Sequence, residues 1–325
     1  MEIIEQKSLH TNPERVYPFS FVGTGSTYFG IAIINMILKI FTLGLYYPWA
    51  KAKELQFLYG ATSFDESRFE FHGTGKEMFK GFIKAILFLA IIIIGFIVLM
   101  NMQMMILAFI WYLGGFVLII PLAIHGSYKY RMSRTSWRGI RFGYRGDRKE
   151  FMMLFFKEMF FTIISLGIYG AWMAINIRKY VLSNVRFGSA EFKYKGNGGE
   201  YFVLNLKGYF LTIITLGIYM FWWQKSLFQY YIDNLSLHHK DDSIRLKSTA
   251  SGGDFFGLIV VNLLMLIFTL GIAYPWVLTR SLKFIFSKIE IVGNIDTEQL
   301  VQTEKEYTDA TGEDMSDMLD LGFVV

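Results

Sequence analysis

One lysine stands alone in apolar surroundings. Lys39 lies in residues 31–43, which are otherwise uncharged. An ionisable group in such a run is a functional candidate, because placing its charge in lipid is costly. The competing reading has Lys39 snorkel toward a helix end at Gly44. Asn35 and Asn262 hold matching places, six residues after Phe29 and Phe256. Their amides can bond across helices as packing glue or contact a solute. His238-His239-Lys240-Asp241-Asp242 has metal-ligand residue types. Neighbouring strand residues face opposite ways, however, so no metal site is expected. His72 and His125 are isolated. The chain has no Ser–His–Asp set, paired carboxylates, phosphate loop or His-Glu-x-x-His pattern. With no cysteine, disulfides and thiol chemistry are excluded. The expectation is a protein that is not an enzyme and holds no cofactor.

A second group is dense and basic: Lys129, Arg131, Arg134, Arg138, Arg141, Arg145, Arg148 and Lys149, interleaved with Tyr128, Tyr130, Trp137 and Phe142. Beside a membrane, such a cluster contacts anionic lipid headgroups and fixes topology. Nucleic acid is the less favoured partner here. Residues 294–325 carry a net charge of −8, against +13 for residues 1–293. This acidic tail is expected to be disordered and cytoplasmic. It ends in Met318-Leu319-Asp320-Leu321-Gly322-Phe323-Val324-Val325, a candidate segment for docking a cytoplasmic protein partner.

The elements that position these residues repeat. A helix-stop, helix-start phrase occurs four times, beginning with Thr42-Leu43-Gly44-Leu45-Tyr46-Tyr47-Pro48-Trp49 and returning from Ser165, Thr215 and Thr269. Gly suits the left-handed position past a helix end, and Pro suits the first turn of the next helix. Leu113-Gly114-Gly115 with Pro121 reads as a decayed copy. A strand-like motif, Phe19-x-Phe21-x-Gly23-x-Gly25, precedes each apolar run and recurs near 69, 142, 192 and 246. Partner runs such as Asn184-Val185-Arg186-Phe187 make β-hairpins, and residues 288–293 make a closing strand. Five copies of one module are implied.

Composition places the module in a bilayer. The chain is 53% hydrophobic and 18% charged, where soluble domains have about 25% charged residues. Residues 85–128 contain no Asp, Glu, Lys or Arg, enough for two spans of roughly 20 residues. Of the 32 Lys and Arg residues, 31 lie in the polar segments between units, and Lys39 is the other. Single kinked spans would divide those charges evenly across the membrane. Two-helix hairpins put them all on one side, as the positive-inside rule requires. The expected fold is therefore an α-helical multi-pass membrane protein. It has about ten helices in hairpin units starting near 19, 69, 142, 192 and 246, with short strands gathering into a small cytoplasmic sheet. Residues 159–177 are too few for two full spans, so some hairpins are expected to be short or re-entrant. The polar, acidic start carries no signal-peptide pattern.

The strand motif followed by Thr42-Leu43-Gly44-Leu45-Tyr46-Tyr47-Pro48-Trp49-Ala50 resembles the YjgN-like family of bacterial inner-membrane proteins, a domain of unknown function. The likeness is strongest over residues 19–59. It implies a multi-pass inner-membrane protein and brings no catalytic residues. Both termini are expected in the cytoplasm. Two functions are compatible with the pattern. One moves a small solute or lipid through the bundle past Lys39, Asn35 and Asn262. The other is a scaffold that binds a partner through its strands and tail.

Overall fold

The computed structural model describes residues 15–240, 242–295 and 300–303. Five helical hairpins alternate with short strands. The hairpins are α1 (Gly25–Phe41) with α2 (Tyr47–Gly60), α3 (Gly75–Asn101) with α4 (Met105–Ser133), α5 (Arg148–Ile164) with α6 (Gly170–Ser183), α7 (Gly198–Ile214) with α8 (Met220–Asp233), and α9 (Gly252–Phe268) with α10 (Tyr274–Ser287). The strands are β1 (Arg15–Tyr17), β2 (Phe19–Phe21), β3 (Thr62–Phe64), β4 (Ser67–Phe71), β5 (Thr135–Trp137), β6 (Ile140–Tyr144), β7 (Val185–Phe187), β8 (Ala190–Tyr194), β9 (Leu235–His239), β10 (Asp242–Ser248) and β11 (Ile289–Asn294).

The strand motif becomes a strand that turns straight into a capped helix. Thr24, Thr74, Asp147, Asn197 and Ser251 follow the motif's first small residue, and each is the N-cap of its unit's first helix. Each side-chain oxygen accepts a backbone N–H of the first turn, which supplies a donor with the partner that the helix cannot. The four intact phrases become the turns between paired helices. The expected decayed copy is different. Gly114 and Gly115 lie inside α4, and the turn of that hairpin is at 102–104. Gly115 instead lets Ile92 of α3 approach closely. Only α3 and α4 are long and apolar enough to cross a membrane among the described residues.

All eleven strands join in one antiparallel order, β1-β11-β10-β9-β8-β7-β6-β5-β4-β3-β2. The sheet is thus larger than the small one expected, and it nearly closes. Its two outer strands are halves of one strand broken at Pro18, whose ring removes a ladder donor. One half pairs with β11 and the other with β3. Asp65, 4% exposed, clamps this seam. It accepts from Arg15 at 2.7 Å, pairs with Arg138 at 3.2 Å, and donates its N–H to Pro18 O. Every strand contributes to one hydrophobic cluster, which includes Tyr17, Phe64, Trp137, Phe187, Leu237, Ile244 and Ile291. Trp137 is 1% exposed, and its indole N–H is held by Phe64 O and Ser67 O. The interior of the sheet is filled.

The acidic stretch does not part from the fold at 294. Ile295 and Leu300 are buried in this cluster, and Thr303 donates to Gly188 O at 2.6 Å. The remainder, including the candidate docking segment at 318–325, lies outside the described residues.

Between units, one contact recurs. The Trp of the phrase lies against the glycine that opens the next unit's first helix: Trp49 on Gly75, Trp172 on Gly198, Trp222 on Gly252, and Trp276 back on Gly25. A Cβ at any of these glycines would overlap the indole. The last of these joins the fifth unit to the first, so α10 packs on α1 and the ten helices form a ring. Gly198→Ala should therefore lower stability by about 1–3 kcal/mol through overpacking. Gly257→Ala, a helical position with no atoms within 4 Å, should raise it by about 0.5–1 kcal/mol. Thermal unfolding in one detergent checks both; equal shifts would contradict the lock.

A cationic cleft at the unlocked joint

The joint between the second and third units lacks this contact. In the other four units the Trp stands thirteen residues before the following strand; at that distance before β5 stands Leu122. The preceding Pro48 has its counterpart in Pro121, so the register is kept and only the indole is lost. On the other side, Arg148 stands where the other units have Gly25, Gly75, Gly198 and Gly252. Packing of α4 on α5 is the sparsest of the five joints.

A cleft of about 920 Å³ opens there, lined by His125, Lys129, Gly146 to Lys149, Met152, Met153 and Phe156. The last turns of α4 supply His125 and Lys129, Gly146 and Asp147 lie just before α5, and α5 supplies the rest. Lys129, Arg148 and Lys149 stand at the strand end. Met152, Met153 and Phe156 follow one to two helical turns along α5, roughly 10 Å deeper at 1.5 Å per residue. Asp147 contributes a carboxylate, but one oxygen is committed to Glu150 N at 2.8 Å. His125 is 3% exposed, and its Nδ1 has no hydrogen-bond partner. Its ring lies edge-on to Tyr144 at 5.2 Å. Burial pushes the Tyr144 phenol above its ordinary range. The arrangement presents positive charge and helix N-terminal dipole at one end and polarisable apolar surface at the other. Among the described residues, no three His, Asp or Glu side chains gather as a metal site.

The other five basic residues of the cluster do not line the cleft. Arg134 pairs with Glu77 at 3.1 Å, and Arg138 covers the Trp137 ring while pairing with Asp65. Arg145 reaches Thr303, and Arg141 donates its backbone N–H to Gln302. Arg131 lies in the last turn of α4. So three of the eight basic residues converge on the cleft.

Asn35 and Asn262 lie outside it. Asn35 Nδ2 donates to Ala50 O at 3.2 Å, and Asn262 Nδ2 to Ser281 Oγ at 2.9 Å, each across its own hairpin. Lys39 is half-buried in the last turn of α1, where a cation suits the helix C-terminus. His238 and His239 face different partners, Ser236 and Ser189.

Glu158, which borders the uncharged residues 159–177, reads in the sequence as a charge that must snorkel if its hairpin spans. It is 2% exposed, and it accepts from Asn176 Nδ2 at 2.8 Å. It sits eleven residues after its N-cap, the same slot as Asn35 and Asn262. Counting from Phe29 and Phe256 hides the match, because Met152 occupies the place of those rings in the third unit. Glu158→Gln keeps an acceptor for Asn176 and should change stability little. Glu158→Leu strands the buried amide and should cost about 1–3 kcal/mol. Unfolding midpoints of the two variants check this; equal losses would contradict the bond's importance.

Compared with known proteins, the chain matches the family described as "Bacterial protein of unknown function (DUF898)" over residues 16–195, 189–241 and 223–318. It is 30% identical over 151 residues to the inner membrane protein YjgN of Escherichia coli (strain K12), 46% of this chain and 37% of that one. It is 28% identical over 148 residues to the protein of that name in Salmonella typhimurium, 46% of this chain and 36% of the relative. The match thus spans little more than a third of these relatives' length. No solved structure matches the chain.

Proposed function

The chain belongs to the DUF898 family of bacterial proteins of unknown function, and we propose that it is an inner-membrane protein that takes an anionic lipid into the α4–α5 cleft. In this reading the hairpins enter the bilayer from the cytoplasmic side, and the sheet and both termini stay in the cytoplasm. The relatives' name, inner membrane protein, supports the location. The gathering of Lys and Arg at the strand ends of the hairpins supports the orientation. One observation carries the function. At the one joint without its indole, Lys129, Arg148 and Lys149 stand above Met152, Met153 and Phe156. That order of charge and apolar surface matches a phosphate headgroup above an acyl chain.

Conduction along the ring axis is the weaker reading. The sheet's interior is filled by Trp137, Phe187 and their neighbours. The amides of Asn35 and Asn262 are turned to their own hairpins. The role proposed is binding and handling of lipid in the cytoplasmic leaflet, not catalysis.

The purified protein should retain phosphatidylglycerol in native mass spectrometry in preference to phosphatidylcholine. Replacing Lys129, Arg148 and Lys149 together by Gln should weaken that preference on the order of a hundredfold, at about 1 kcal/mol per charge. The pair Leu122→Trp with Arg148→Gly, which rebuilds the lock, should also remove it. Unchanged preference in both variants, each still folded, would overturn the function.

A further inference from the structure

We propose that the four short hairpins end inside the bilayer, with their turns packed against acyl chains, and that α3–α4 alone reaches the far side. This inference rests on the membrane insertion proposed above.

Length is the first ground. At 1.5 Å per residue, helices of 17 and 14 residues, as in α1 and α2, measure about 25 and 21 Å. The hydrocarbon core is about 30 Å thick. Helices α3 and α4, with 27 and 29 residues, measure about 40 Å or more. Hairpins that share one sheet at their base cannot all end at the same depth.

The turns themselves are the second ground. Backbone donors in hydrocarbon must be satisfied from within the chain. In the first turn, all six N–H groups from Thr42 to Tyr47 are so satisfied. Thr42 bonds Leu38 O, Leu43 bonds Ile40 O, Gly44 bonds Lys39 O, Leu45 bonds Thr42 O, Tyr46 bonds Thr42 Oγ1 and Tyr47 bonds Gly44 O. The same six bonds recur in the turns at 165–170, 215–220 and 269–274, with Ser165, Thr215 and Thr269 as the hydroxyl acceptors. This is why the phrase begins with Thr or Ser.

Third, the side chain at each apex is a leucine. Leu43, Leu166, Leu216 and Leu270 are 92–94% exposed, at φ between 49° and 53°. A left-handed leucine is strained, and in water a bare leucine offsets none of that cost. In lipid its whole side chain is solvated. The long hairpin makes the same left-handed turn, at φ 59°, but places Gln103 there, beside the exposed Asn101. A polar apex on the long hairpin and apolar apices on the short ones are what water and hydrocarbon respectively demand. Lys39 stays consistent with this because it is half-buried and not among the apex residues.

The chain has no cysteine, so single cysteines can be placed at Leu43, Leu166, Leu216, Leu270 and Gln103. Labelling with a membrane-impermeant maleimide in intact cells and in inverted vesicles should mark Gln103→Cys from the periplasmic side alone. The four leucine positions should be unmarked from either side and react only after denaturation. A nitroxide at those four positions should be more accessible to oxygen than to a water-soluble nickel chelate. If the four label from the periplasm like Gln103→Cys, the hairpins cross and the inference is overturned. If they label from the cytoplasm, the hairpins are not inserted, and this inference falls with the reading it rests on. If Gln103→Cys labels only in inverted vesicles while the four stay shielded, the orientation alone is reversed and the buried apices stand.

Discussion

The contact between an indole and a bare Cα sets the architecture. A glycine at the first position of a helix lets the Trp of the preceding unit lie directly on the backbone. That fixes both the distance and the rotation from one hairpin to the next. Trp49, Trp172, Trp222 and Trp276 make the same contact, and the last of them joins the fifth hairpin to the first. The ring of helices and the nearly closed sheet are two consequences of one step. Pro18 lets a single strand serve both edges, and Asp65 holds the seam. Exposed strand edges, which invite aggregation, are largely removed.

The exception gives the ring its chemistry. Leu122 and Arg148 replace both partners of the contact at one joint, and a cleft lined by Arg148 lies at that joint. The same unit that lacks the indole owns the long hairpin. The long apolar element, the open joint and the convergent cations are therefore neighbours, and they belong to the part of the ring least constrained by repetition. Under the proposed lipid-binding role, a lipid arriving from the cytoplasmic leaflet would meet the cations first and the methionines next, in the order its own chemistry presents.

Much of the architecture is legible in the order of the residues alone. Phrase and strand motif locate eight of the ten helices and most of the strands, because capping and turn chemistry are local; the turn between α3 and α4 is misplaced, since Leu113-Gly114-Gly115 lies inside α4. The clustering of 31 of 32 basic residues favours hairpins over single spans. Closure is not legible. Trp276 on Gly25 is a contact between chain ends, and neither residue marks itself as a partner of the other. The cleft escapes because its signal is a loss, Trp to Leu and Gly to Arg, which stands out only once the joints are aligned. Of eight clustered cations, three face it. Two of the others, Arg134 and Arg138, pair with Glu77 and Asp65, carboxylates more than fifty residues away. Glu158 reads as a charge that must snorkel, whereas burial and Asn176 seat it between helices.

Ring closure can be measured directly. Val16 and Val292 face one another across β1 and β11, and opposed residues in an antiparallel pair lie within disulfide reach. With Cys at both positions in this otherwise cysteine-free chain, mild oxidation of dilute, folded protein should form an intrachain disulfide rapidly and completely. The product should be a monomer of altered mobility. Free thiols under those conditions, or disulfide-linked dimers in place of the monomer, would mean that the chain does not close on itself.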